Sequence, residues 1–183
     1  MIKRNVDFIL ILIALLVISC SCNKGNEITA SGSSSAANSA FSSDDLKIVI
    51  DNKELRCNAD FSTVLPTLGN DYQYSESKSC EYDGLDKIYI FKHFSIYTFP
   101  QNQKDYISEI TLNDNSYSTS KGLKVGTKKD EVITAYGENF FTSGVNLTYN
   151  IENNAEDTKA ASLYFTVDEN DTVTAIGMTA DKN

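Results

Sequence analysis

The sequence predicts an α+β fold: two tandem units, each a helix followed by a three-strand meander, forming an antiparallel sheet with the helices on one face. Three observations predict it. Segments rich in β-branched and aromatic residues alternate with turn-prone groups. Two short helical patterns each stop at a glycine. The helix and strand segments also match one another at a nearly constant spacing, the signature of a duplicated fold.

The chain opens with the basic group Met1-Ile2-Lys3-Arg4 and an apolar run, Phe8 to Ile18. The run suits the core of an export signal and is too short to span a bilayer, which takes about 20 helical residues. It ends in Val17-Ile18-Ser19-Cys20, an aliphatic pair and a small residue before a cysteine. This resembles the lipobox of bacterial lipoproteins, and the resemblance implies cleavage before Cys20 and a diacylglycerol on its sulfur. Residues 1–19 are then the signal peptide. Cys22 offers a second, poorer frame. Residues 20–43 form a lipidated tether rich in Ser, Ala and Asn, with no apolar periodicity to order it. As a coil it spans roughly 25 Å.

Residues 44–183 form the globular part, with repeats at about 44–115 and 116–183. Strands are expected at Leu46–Ile50, Ile88–Lys92, Phe94–Phe99, Tyr106–Leu112, Val145–Ile151, Ala160–Val167 and Thr172–Thr179. Turn groups at Asp51-Asn52-Lys53, Pro100-Gln101-Asn102, Asn153-Asn154 and 168–171 separate them. One helix is expected to start at a Thr127 cap, bury Val132, Ile133 and Tyr136, and stop at Gly137. The other runs from Asp60 to Gly69, shortened or distorted by Pro66. Val64–Gly69 matches Val132–Gly137, Phe94–Thr98 matches Ala161–Phe165, and Asp105–Leu112 matches Asp171–Met178. In such units one sheet face lies under the helices and the other is open. Tyr97 and Tyr164 fall at matched positions and are expected on the open face. The face that Tyr89, Phe91 and His93 share is left unassigned.

The lead-in 121–127, with Asp130-Glu131-Val132 and Tyr136-Gly137, resembles the β-lactamase inhibitory protein-like fold and the small outer-membrane-assembly lipoproteins that carry one such unit. Residues 79–87 followed by Ile96-Tyr97-Thr98-Phe99-Pro100 are similar to uncharacterised lipoproteins of Gram-positive gut bacteria. The resemblance covers about 46–180. It implies a protein-binding module using a sheet face, and it carries over no inhibitory residue.

Charge and cysteines bound the partners. The chain carries −9, and removing Lys3, Arg4 and Asp7 with the signal leaves about −10. Nucleic acid is a poor partner for such a surface, because phosphates are neutralised by Lys and Arg. An anionic membrane also repels it, so the lipid has to anchor it. In the globular part Cys57 and Cys80 remain, and outside the cytoplasm an even count suggests a disulfide. The alternative is two separate thiols.

Catalytic motifs are missing. His93 is the one histidine, and there is no G-x-S-x-G elbow, no P-loop and no G-x-G-x-x-G. Asp168 to Thr172 begins like a calcium loop without its Gly or distal Glu. No metal or cofactor is expected. Ten Tyr and nine Phe with no Trp provide aromatic contact area on an open sheet. The expected function is a non-enzymatic, lipid-tethered protein-binding module outside the cytoplasmic membrane, in the cell envelope, with Tyr97, Tyr164 and Tyr89 as contacts. The alternative is a small-molecule, peptide or glycan-binding envelope lipoprotein.

Overall fold

A computed structural model describes residues 40–181. The expected signal peptide, Cys20, Cys22 and the expected tether up to residue 39 lie outside the described residues. The last tether residues are part of the fold, contrary to expectation. Phe41 packs against Tyr136 and Tyr149, with ring centroids 6.1 and 5.7 Å away. Ser42 opens a 3-10 turn, Ser43–Asp45. Asp45 is only 5% exposed. It accepts the Ser42 N–H at 3.0 Å and the Ser120 hydroxyl at 3.0 Å, and faces the Lys121 ammonium at 3.4 Å. A buried carboxylate needs such partners.

A hairpin follows, β1 (Ile48–Ile50) and β2 (Lys53–Leu55). Its two turn residues, Asp51 and Asn52, both have positive φ, the geometry of a tight hairpin turn. With β7 (Ser118–Thr119) they make a three-stranded sheet ordered β2-β1-β7. Helix α1 (Phe61–Val64) is one turn long, capped by Asp60, which accepts the Ser62 N–H at 3.1 Å. Pro66 then forces a 3-10 turn, Leu65–Thr67. Helix α2 (Lys129–Tyr136) starts one residue later than expected. The cap is Lys128, whose N–H donates to Glu131 at 3.3 Å, while Thr127 Oγ1 accepts from Lys124 N.

The main sheet has eight strands, all antiparallel. In chain order they are β3 (Tyr72–Lys78), β4 (Leu85–Phe91), β5 (Phe94–Gln101), β6 (Lys104–Leu112), β8 (Phe141–Ser143), β9 (Asn146–Asn150), β10 (Ser162–Val167) and β11 (Val173–Thr179). Their spatial order is β3-β4-β5-β6-β11-β10-β9-β8. Each helix is therefore followed by four strands of this sheet, not three. The two unread strands, β3 and β8, are the sheet's edges. β3 is mostly polar and exposed at every residue after Tyr72, and β8 is three residues long, so neither shows an apolar alternation.

The two ends of the order mirror each other in detail. Residues Asp60 and Lys128, just before each helix, bridge to Tyr106 and Thr172 at the start of β6 and β11. Asn58 N donates to Ile107 O at 2.8 Å and Ile107 N to Ala59 O at 3.0 Å. In the other half Gly126 N donates to Val173 O at 2.8 Å and Val173 N to Thr127 O at 2.9 Å. Both halves break register at the same place, between Tyr97 and Thr98 and between Thr166 and Val167. The halves meet where β6 pairs β11, from Ile176–Leu112 to Thr179–Glu109.

One core lies on one face of this sheet. Ile96, Ile110, Met178, Leu163 and Tyr149 are neighbours across five strands. They are packed in a single buried cluster with Phe61 of α1, Val132 and Tyr136 of α2, and Ile48, Ile50 and Leu55 of the small sheet. Tyr149 also donates to Gly137 O at 2.9 Å, satisfying a carbonyl at the end of α2. Gly137 holds φ at 88°, a conformation that L side chains disfavour.

Candidate functional site

Side chains alternate across a strand, so every second cross-strand row faces away from the core. Two such rows run unbroken across the sheet. The first is Ser75, Ile88, Tyr97, Glu109, Thr179, Ser162 and Asn150. The second is Gln73, Ile90, Ser95, Thr111, Gly177, Tyr164, Thr148 and Phe141. None of these residues belongs to the core cluster. Tyr97 and Tyr164 thus stand on the face opposite the helices, as expected.

Tyr89 does not. It is 7% exposed and packs against Phe61 at 4.6 Å, in the core under α1. It shares parity with Phe91, which stacks on Phe94 at 4.5 Å. An alternating strand shows two aromatic positions on one side without showing which side is covered, and here it is the helix side. Tyr89 is therefore unavailable as a contact.

The two tyrosines differ in role. Tyr164 lies flat over Gly177, where an added Cβ would fall 2.0 Å from its ring. Its hydroxyl donates to Glu109 Oε1 at 2.5 Å, and Thr111 Oγ1 donates to the same oxygen at 3.2 Å. Burial, then the Glu109 carboxylate, holds the Tyr164 phenol protonated well above the usual range. Tyr164 thus makes a ridge across the face. Tyr97, directly opposite Glu109 on β5, is half-buried and sits in the concavity beside it.

That concavity holds about 400 Å³. Ile88, Tyr97 and Glu109 of the sheet line it, and residues 79–82 of loop 79–84 wall it. Tyr82 of that loop packs on Phe99 at 4.8 Å, and Ser79 Oγ accepts the N–H groups of Glu81 and Tyr82 at 3.3 and 3.2 Å. Loop 79–84 escaped sequence reading as a wall because its contact with Phe99 is non-local. Lining charges are Glu76, Glu81, Asp86 and Glu109 against Lys87. Lys87 is engaged by Asp105 at 2.7 Å, which raises its pKa. Beyond the Tyr164 ridge a second hollow of about 320 Å³ includes Phe141, Thr148, Ser162 and Tyr164. Loop 151–161 borders it, held by paired Asn150–Asn154 hydrogen bonds of 2.9 Å.

The disulfide expected between Cys57 and Cys80 is not formed; both thiols are free. Cys57 is drawn against the core, where its thiol donates to Met178 O at 3.3 Å. Burial pushes its pKa up, so the reactive thiolate is disfavoured. Cys80 is exposed in loop 79–84 and lines the larger hollow. An even cysteine count says nothing about whether two sulfurs meet.

His93 lies beside Asp114 and Ser116, a trio that looks catalytic by composition. Its Nδ1 meets Asp114 Oδ2 at 2.6 Å and Ser116 Oγ at 3.0 Å. A relay requires the nucleophile and the orienting acid on opposite nitrogens of the imidazole base, and here Ser116 and Asp114 meet the same one. The cluster ties the β4–β5 turn to the segment after β6. Asp168, the start of the calcium-like stretch, is consumed in the β10–β11 turn. It accepts the N–H groups of Asn170 and Thr172, each at 2.9 Å. Among the described residues no group of three His, Cys, Asp or Glu side chains could hold a metal ion.

Comparison with protein-family models, curated proteins and solved structures finds no match. The reading of function therefore rests on the geometry of the open face.

Proposed function

We propose that this chain is a non-enzymatic lipoprotein, tethered through a lipid on Cys20 outside the cytoplasmic membrane of a Gram-positive bacterium, that binds a protein partner across its open sheet face. The observation that carries the reading is the pair of unbroken eight-strand and seven-strand rows facing away from all helices, with Tyr97 in the seven-strand row between Ile88 and Glu109. Tyrosine there offers rigid contact area with a polar tip, as protein interfaces favour. The hollow beside it admits a protruding partner side chain, and hot spots typically fill such pockets.

The fold is part of the proposal: two copies of one helix-plus-four-strand unit, of the β-lactamase inhibitory protein-like kind. What supports duplication is the mirrored hydrogen bonding before each helix and the matched register breaks. Aligning those breaks places Tyr97 with Thr166 and Ser95 with Tyr164. The two tyrosines then share a face without being equivalents, which fits their different surroundings.

A photo-crosslinking residue at Tyr97, in the full chain in native membranes, tests the reading against the same group at Thr134 on the exposed side of α2. The protein captured from Tyr97 alone is then purified. It should bind wild-type chain and lose at least about tenfold in affinity for Tyr97→Ala, the scale of a modest hot spot. Unchanged affinity rejects the face.

A second reading is favoured by the volume of the larger hollow. At about 400 Å³ it lies within the size of small-ligand sites, so a peptide or glycan segment could occupy it. Saturable binding of such a segment without a captured protein would favour that reading.

A further inference from the structure

The edge strand β3 has an unusual character. Its seven residues pair with β4 in unbroken register, from Tyr72–Phe91 to Lys78–Leu85, and all but Tyr72 are exposed. Among the described residues no strand lies on its other side. Folded proteins blunt sheet edges with brevity, proline, bulges or charge, because a row of unpaired backbone groups templates another strand. The opposite edge, β8, is blunted by brevity at three residues. β3 has no proline, no bulge and no brevity. Its charges, Glu76 and Lys78, cancel. In a chain of net −9 it is a neutral strip along which two copies can approach with little repulsion.

We propose that β3 pairs antiparallel with β3 of a second copy about Ser75, joining two eight-stranded sheets into one. The strand is self-complementary in that register. Tyr74 stands opposite Glu76 of the second copy, Gln73 opposite Ser77, and Tyr72 opposite Lys78, a ring beneath an ammonium. Tyr74 already donates a hydrogen bond to Glu76 within its own strand, so these two groups suit one another chemically. No like charges meet. Sliding two residues toward Lys78 would set Glu76 against Glu76 and is disfavoured. The two-fold axis stands perpendicular to the sheet, so both open faces point the same way. Ser75 and Ser77 line the larger hollow, so the second copy's strand extends its wall, and the two hollows flank one seam. The seam is one seven-residue strand on each side, short of the standard of about 800 Å² per partner, so the dimer grows with concentration in solution and is tighter where tethering concentrates the chains.

The test uses the full chain in detergent with Cys20, Cys22 and Cys80 replaced by serine. Ser75→Cys sits on the two-fold axis, where opposed residues lie about 5 Å apart. Under mild oxidation it should form a covalent dimer at least about tenfold faster than Ser143→Cys on the other edge, the advantage of a preformed pair over random encounter. In the parent chain the sedimentation mass should rise toward the dimer with concentration, and Ser75→Lys, which opposes two ammonium groups, should hold it at the monomer. Circular dichroism of each variant checks the fold. Equal linking rates at both edges, a parent mass that stays monomeric, or a Ser75→Lys dimer overturns the pairing. The affinity measured at Tyr97 reads a different surface and is unaffected by that failure.

Discussion

Replacing Gly177 by alanine tests how the Tyr164 ridge is built. The new Cβ would lie 2.0 Å from Tyr164 Cζ and 2.3 Å from its Cε1 and hydroxyl oxygen. No rotamer adjustment of a few tenths of an ångström relieves that overlap, so the ring must leave the sheet. Its hydrogen bond to Glu109, 2.5 Å long, is then lost. A hydrogen bond to a charged acceptor contributes about 1.5–3 kcal/mol, and the lower end applies because both groups regain water. Forced repacking adds about 1–3 kcal/mol. Alanine regains about 0.5–1 kcal/mol of strand propensity over glycine. The net loss is about 2–3 kcal/mol, or about 8 °C in Tm for a domain this size. Urea unfolding followed by circular dichroism measures it. The same substitution in a Tyr164→Ala background should cost nothing, since the colliding ring is absent. An equal cost in both backgrounds refutes the steric account. In Gly177→Ala the Tyr164 phenol should also titrate closer to the ordinary tyrosine value.

Other expectations follow from the core and the thiols. Asp45→Ala removes the buried carboxylate that Ser42, Ser120 and Lys121 share, leaving Lys121 on the Ala135 carbonyl, and should cost about 3 kcal/mol by thermal or urea unfolding, as breaking a buried pair does. Phe41→Ala should cost about 2 kcal/mol, less than a fully buried Phe, since Phe41 is partly exposed; no change in Tm would place Phe41 outside the core. Tyr89, Tyr136, Tyr149 and Tyr164 are all held protonated, chiefly by burial. A raised folded pKa leaves stability intact below the unfolded value of about 10 and lowers it as pH climbs above that. Unfolding midpoints should therefore be flat near neutrality and fall steeply in the alkaline range; a flat profile to pH about 11 contradicts the burial. With Cys20 and Cys22 replaced by serine, one thiol (Cys80) should react at once with a thiol reagent and the other (Cys57) only on unfolding. A native chain with no reactive thiol would show that a disulfide does form.

Strands made of β-branched and aromatic residues announced themselves: Ile88 to Phe91, Phe94 to Phe99 and Val173 to Thr179 were all legible. β3 was not, because Tyr72–Lys78 is an edge whose side chains meet mostly water, so no selection for alternation marks it. The α2 cap was misplaced by one residue because Thr127 and Lys128 both precede an acid three positions on, Asp130 and Glu131. Only Glu131 reaches back to the cap. Phe41 was hidden in a Ser-rich stretch, since one docked ring carries no period. The open face was legible through the parity of Tyr97 and Tyr164. The hollow was not, because its walls arise where residue 82 meets residue 99.

The seam between β6 and β11 closes over a stretch that includes α2 and three other strands of the sheet. A chain made in order from its N-terminus displays β6 as a second bare flank until β11 arrives. During that interval the first four strands have two open sides, and loop-closure entropy slows the final join. Newly made copies are thus most vulnerable to mispairing before the join is made, and holdase chaperones would have their greatest effect on this species.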